Sequence, residues 1–174
     1  MNQTNQAKQY ADFVTVTCLD WKHVLSDNRF KDIIIESLAF LCKAKRVSVY
    51  AFVVMSNHFH LIWQMLGNQR RDEVQRDFLK FTSQQILKIL RNEKSEIQEE
   101  LLVLSKDRKY QVWERNPLCI PLWSPEVINQ KLDYIHENPV SAGLCKCPWD
   151  YEYSSAGFYY RQEKRWSFLT HIEG

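Results

Sequence analysis

Val53-Val54-Met55-Ser56-Asn57-His58-Phe59-His60-Leu61-Ile62-Trp63 is an apolar run with two histidines two residues apart near its centre. The β-branched and aromatic residues around the pair read as a buried strand, in which side chains at i and i+2 share a face. His58 and His60 therefore project together, while Phe59 points the other way into packing. Two imidazoles converging from a rigid sheet are half of a metal site, because neutral imidazole is a common ligand for divalent ions. The competing reading is a pair of hydrogen-bonded core histidines. A third ligand and a reacting group elsewhere in the chain would decide between them.

Outward from this run, residues 47–54 form one strand, and Met55-Ser56-Asn57 is either a tight turn into a third strand or part of one long strand. Upstream, a polar leader over residues 1–10 precedes an alternating β-branched stretch at 13–19, a first strand. Asp27-Asn28 offers an N-cap to an amphipathic helix over 30–44, with Phe30, Ile33, Ile34, Ser37, Leu38 and Leu41 at helical spacing. Downstream, Gly67-Asn68 marks a turn and 71–91 a long helix with Leu79, Ser83, Ile86 and Leu90 inward. Arg76, Lys80, Lys88 and Arg91 fall within roughly a third of its circumference, with Arg70 and Arg71 at its start. This stripe is either a solvated face or a set of DNA phosphate contacts, Arg70, Arg71, Arg76 and Lys80 first among them.

Residues 92–109 read as a polar connection around Leu101, Leu102 and Leu104. Residues 109–115 alternate and predict a strand ended by Asn116-Pro117, its exposed aromatic and basic groups suited to unpaired bases. Ser124-Pro125-Glu126 opens a helix with a capping serine, a proline at the first helical position and an acid in the first turn. It runs to about Glu137, because Pro139 places Asn138 at or near its end, and Gly143 supplies a left-handed turn beyond. An aromatic-rich tail over 148–174 is expected to pack back on the domain.

The 174 residues, 45% hydrophobic with four glycines, suit one packed domain and leave no composition for a long disordered tail. The net charge of +2 is too small to name a partner by itself. Five cysteines form an odd set with no Cys-x-x-Cys pair, which argues against a disulfide framework or four-cysteine zinc site and favours free thiols in a reducing cytoplasm. No signal peptide fits the polar start, and no apolar run reaches the ~20 residues of a membrane helix, so a soluble cytoplasmic protein is expected.

Tyr134 and Asn138 lie four apart on the Pro125 helix and share a face. If that face meets the histidine strand, Asn138 offers a carboxamide oxygen as third ligand and Tyr134 a phenolic nucleophile beside it. Tyrosine attacks poorly unless its target is made electrophilic, which a hard divalent ion on a phosphate oxygen does. Mg²⁺ or Mn²⁺, with few protein ligands and open positions, fits better than closed zinc. The plain alternative for Tyr134 is a half-buried helix tyrosine.

Two of these stretches also carry a family likeness. Val54-Met55-Ser56-Asn57-His58-Phe59-His60-Leu61-Ile62 resembles the HUH motif. Leu132-Asp133-Tyr134-Ile135-His136-Glu137-Asn138-Pro139-Val140-Ser141-Ala142-Gly143-Leu144 resembles the catalytic helix of the single-tyrosine transposases of small insertion sequences, nearest to those associated with repetitive extragenic palindromes (REP). Pro148-x-Asp150-Tyr151-x-Tyr153-Ser154-Ser155-Ala156 matches that group too, and the likeness covers nearly the whole chain.

The resemblance implies one α+β catalytic domain over residues 1–174, with a ferredoxin-like antiparallel sheet and helices packed on it. It implies metal ligands at His58, His60 and Asn138 and a nucleophile at Tyr134. The implied reaction cuts and rejoins single-stranded DNA near hairpins through a 5′-phosphotyrosine, with Mg²⁺ or Mn²⁺, in a monomer or homodimer. Ser56 stands where many members have proline, and Ser141 replaces a frequent arginine, removing one basic DNA contact.

Rival readings are a small-molecule metallohydrolase, for which the chain is too short for a barrel, and a non-catalytic nucleic-acid module, which would not need the histidines. A non-mobile DNA-binding descendant and a metal-dependent nuclease using water are the alternatives within the same fold.

Overall fold

The computed structural model describes residues 10–173, so the leader lies outside the described residues except for Tyr10. The strands β1 (Ala11–Thr17), β2 (Val47–Val54), β3 (His58–Met65) and β4 (Leu118–Leu122) form one antiparallel sheet in the order β2-β3-β1-β4. Helix α1 (Asn28–Lys43) links β1 to β2; α2 (Arg71–Asn92) and the short α3 (Glu96–Glu100) lie between β3 and β4. β1 and β2 thus run parallel with β3 between them, the split β-α-β arrangement of ferredoxin-like folds. Helices α4 (Pro125–Ser141) and α5 (Ala156–Arg161) complete the α+β architecture. Residues 55–57 are a turn rather than part of one long strand: the Met55 N–H donates to the His58 carbonyl at 2.8 Å.

Side-chain alternation divides the sheet into two faces. Val14, Val16, Phe59, Leu61 and Trp63 enter the core beneath α1 and α2, where Phe30, Ile34, Leu38, Phe78, Ile86 and Leu90 meet them. Ala11, Phe13, Ala51, Val53, Ile62 and Leu122 form a second core with Ile135 of α4. A bulge between Val49 and Ala51 changes the phase of β2, so Val49 and Phe52 face the first core and Ala51 and Val53 the second. Each fully buried Leu, Ile or Phe contributes ~1.5–3 kcal/mol, so the first core carries most of the stability.

Capping decides the helix starts as the sequence implies. Asp27 accepts the Arg29 N–H at 2.9 Å at the head of α1, and Ser124 accepts the Val127 N–H at 3.3 Å at the head of α4. The buried residues of α2 are Val74, Phe78, Thr82, Ile86 and Leu90. Leu79 and Ser83, expected inward, are only half-buried, because the packed row is the i, i+4 series through Phe78. β1 starts two residues earlier than expected, and Leu19 begins a turn instead of ending the strand.

Two further expectations are corrected. Residues 109–115 are not a strand: they make isolated bridges, Tyr110 with Leu102 and Trp113 with Cys18. Gln111, Val112 and Trp113 are buried in succession, not alternately. Trp113, with its Nε1–H donating to Thr82 Oγ1 at 3.1 Å, is sealed in the core and unavailable to bases. The fourth strand is β4, beyond Pro117. It is an edge strand that is mostly uncovered and contains Pro121, which suits only an edge and erases the sequence signal. Second, α4 does not stop before Pro139 but runs through it to Ser141. The proline forfeits one backbone bond, yet it is buried beside His136 and Ile135, and packing there holds the last turn. Gly143, at φ +71°, closes it as expected.

The tail covers the open edge of β2. Tyr153 and Ser154 pair with Val54 and Val53, and the Thr170 N–H donates to the Val49 carbonyl at 3.0 Å, so the β2 edge of the sheet is not a free template.

Candidate active site

β3 lies inside the sheet, and its register sets His60 opposite Thr15 and His58 opposite Thr17 of β1. Both imidazoles point to the α4 face, their ring centroids 4.8 Å apart. α4 is held over them by Ile135, fully buried in the second core. On the same side of α4, Lys131, Tyr134 and Asn138 follow at spacings of three and four residues, one ridge of the helix. The Tyr134 ring meets His60 edge-on at 5.0 Å. Asn138 Nδ2 lies 3.3 Å from His60 Nε2. The structure therefore brings together, within one chain, the four residues that the sequence singles out: His58, His60, Tyr134 and Asn138.

The neighbours determine the tautomers. Asn57 Oδ1 can only accept, so His58 Nδ1 carries the proton and donates to it at 2.7 Å. The Asn138 amide nitrogen can only donate, so His60 Nε2 is the acceptor and His60 Nδ1–H donates to Thr15 Oγ1 at 2.9 Å. Both rings thus present an unprotonated Nε2 toward the site, each anchored through its other nitrogen, the arrangement that orients metal-ligating histidines.

Burial supports the neutral state. It pushes the His60 pKa down to about 3, with the charges of His58 and Lys131 adding to the effect. His58 is also lowered by burial, opposed by Asn138 as a hydrogen-bond acceptor for the charged ring. Two neutral imidazoles and a carboxamide that can turn its oxygen inward could hold a divalent ion and leave positions for substrate oxygens. Among the described residues no group of three or more His, Cys, Asp or Glu side chains converges at this site or at any other.

Tyr134 remains half-exposed, at 49%, with its ring edge also 6.0 Å from Phe13. Lys131 Nζ lies 4.8 Å from the Phe13 ring centroid and 5.6 Å from that of Tyr134. It places a cation beside the phenol where an anionic substrate would arrive. Lys131 was missed from the sequence, although it lies three residues before Tyr134 and seven before Asn138, the spacing of a shared helical face.

His136 was quoted only as part of the motif. It is 1% exposed, and its Nε2 is 2.9 Å from Ser155 Oγ, which also accepts the Phe52 N–H at 3.0 Å. This bridge pins α4 to β2 midway between Tyr134 and Asn138. A third omission is Trp21, 58% exposed and 5.8 Å edge-on from His58.

The basic stripe is elsewhere. α2 packs on the opposite face of the sheet, and Arg71 pairs there with Asp12 at 3.0 Å, at the end of β1 remote from Thr17. Arg70 pairs with Asp72 at 2.9 Å and Arg76 with Asp77 at 3.1 Å, all exposed, as is Lys80. These four do not meet the histidine site.

No family model and no curated protein matches the sequence. Solved structures do. A REP-associated tyrosine transposase bound to a REP hairpin superposes with a TM-score of 0.64 at 16% identity, covering 98% of this chain and 89% of that one. A Deinococcus radiodurans R1 protein described as a candidate transposase superposes with a TM-score of 0.52 at 13% identity, covering 79% of this chain and 96% of that one. The likeness establishes a shared fold over almost the whole chain.

Proposed function

We propose that this protein is a transposase that cuts and rejoins single-stranded DNA beside a hairpin, with Tyr134 as nucleophile. The observation that carries the reading is the contact of the Tyr134 ring with His60, at 5.0 Å in the same chain, with Asn138 on the other side of that imidazole. The fold shared with a transposase solved on a REP hairpin supports the choice of substrate.

In this reading His58, His60 and the Asn138 carboxamide would hold Mg²⁺ or Mn²⁺. Two imidazoles favour Mn²⁺ of the pair. When bound, the ion would offset phosphate charge and make phosphorus more electrophilic. The phenolic oxygen of Tyr134 attacks phosphorus and its proton leaves to solvent. The bond to the 3′ oxygen breaks, and that oxygen takes up a proton as a free 3′-hydroxyl. The 5′ phosphate stays on Tyr134, so the reverse attack by a 3′-hydroxyl rejoins strands with no external energy source. Lys131 meets the phosphate beside the phenol, and His136 with Ser155 keeps α4 in register. One chain supplies every named group, so a monomer suffices for the chemistry. Arg70, Arg71, Arg76 and Lys80, on the far face, would serve phosphates of the hairpin stem. Five free cysteines suit a reducing cytoplasm, and no described helix is long and apolar enough to cross a membrane.

The test uses hairpin oligonucleotides with randomised single-stranded flanks and Mn²⁺. Wild-type protein should yield a denaturation-resistant adduct whose 5′ phosphate maps to Tyr134, and Tyr134→Phe should bind DNA but give none. An adduct surviving in Tyr134→Phe would place the nucleophile elsewhere; cut DNA without any adduct would make water the nucleophile.

A further inference from the structure

We propose that Trp21 is a stacking platform for an unpaired DNA base adjoining the phosphate that Tyr134 attacks; the inference rests on the function proposed above. A lone exposed aromatic ring is ordinary. This one differs in its backbone and its position.

Asp20 and Trp21 both have left-handed backbone, at φ 51° and 56°, in a turn closed by the Lys22 N–H on the Leu19 carbonyl at 3.0 Å. Positive φ at both central residues is the geometry for which Asn-Gly or Asp-Gly is the usual sequence. Asp20 suits its place, whereas tryptophan stands where glycine would be unstrained. The turn is over-determined by its surroundings. Cys18 is buried and accepts the Trp21 N–H at 3.0 Å, the Leu19 N–H donates to the Val112 carbonyl at 2.8 Å, and the Asp20 N–H donates to Glu114 Oε1 at 2.7 Å. Backbone strain held in this way points to a role for the side chain, and a ring 58% exposed contributes little to packing.

What the turn achieves is placement. The indole edge meets His58 at 5.8 Å, His58 meets His60 at 4.8 Å, and His60 meets Tyr134 at 5.0 Å. Trp21 stands one ring contact beyond the outer histidine, as Tyr134 stands one beyond the inner, so it adjoins whatever nucleotide the site holds. Every base offers a π-face, and indole stacks on it without regard to sequence.

The experiment uses the full chain and the hairpin oligonucleotide selected by adduct formation, with 5-iododeoxyuridine at each nucleotide flanking the cut. Irradiation should cross-link one flanking position to Trp21, read by mass spectrometry. Trp21→Ala should raise the half-saturating DNA concentration between about 5- and 100-fold, more than it lowers the rate at saturating DNA; Trp21→Phe should restore most of the affinity. Trp21→Gly should melt no lower than wild type, since glycine adopts this φ freely. Cross-links mapping elsewhere, with Trp21→Ala binding within twofold of wild type and a normal Tyr134 adduct, would overturn the stacking role and leave the function standing. Melting well below wild type in both the Ala and Gly variants would make Trp21 a structural anchor and overturn the role too. No adduct with wild type would remove both proposals.

Discussion

Along β3, Phe59, Leu61 and Trp63 enter the layer beneath α1 and α2 with at most 1% of their surface exposed, while His58 and His60 alternate with them toward α4. The first face is sealed by aliphatic and aromatic contacts, Phe59 packing on Phe78 and Trp113. The second buries polar groups, and each imidazole must then find specific partners, because an unsatisfied buried group costs ~1–3 kcal/mol. Thr15, Asn57 and Asn138 provide them. A sheet packed with apolar side chains on one side can thus hold a half-open, hydrogen-bonded polar cluster rigidly on the other, one residue away.

The largest expected contrast is within the strand itself. Phe59→Ala should lower the unfolding free energy by about 3–5 kcal/mol, measured by urea denaturation. Half-buried His58→Ala should change it by less than about 1 kcal/mol and abolish the Mn²⁺-dependent adduct. If His58→Ala kept full adduct formation at the same metal concentration, the division between a stabilising face and a chemical face would fail.

Acid should act through the α4 side. The folded-state pKa values of His60 and His136, about 3 and about 4, lie below the unfolded value, and burial is the main cause in both. The unfolded chain therefore binds protons first. Stability is complete above about pH 6.5 and is lost as pH falls from there toward 4, by about 1.4 kcal/mol per pH unit for each site. His136→Leu should remove one such contribution from the slope; an unaltered pH profile of denaturation would show that His136 is not held neutral in the fold.

The smallest effects should separate the two sets of cations. Lys131→Ala should slow adduct formation about tenfold and flatten the log-log salt dependence for an unstructured strand by about 0.7. Arg76→Ala with Lys80→Ala should flatten the slope only for hairpin DNA, by up to about one unit per contact, without changing the adduct rate at saturation. A slope unchanged on both substrates would return α2 to a plain solvated surface.

The strands and helices with strong periodicity were legible because the same side chains that create the pattern bury it: α1, β2, β3 and the start of α4 follow from apolar spacing and caps. β4 was not legible, since an uncovered edge strand with Pro121 carries no alternation, while residues 109–115 imitate a strand with side chains that instead fill gaps around Cys18 and Thr82. The end of α4 was misjudged for a related reason. A proline's local penalty is visible in a sequence, and the burial that outweighs it around Ile135, His136 and Pro139 is not.

By itself the sequence determined that His58 and His60 share a face and that Tyr134 and Asn138 share another, because both statements depend only on the periods of strand and helix. Whether those two faces meet depends on which side of the sheet α4 covers, and local periodicity is silent on that. The tertiary structure decided it through contacts between distant residues: Ile135 in the second core, His136 on Ser155 and Phe52, and a bulge in β2 that turns Ala51 and Val53 toward that core. The same long-range packing set α2 and its basic stripe on the opposite face of the sheet from the histidines, and held Trp21 against His58 in a backbone conformation that its own residue type disfavours.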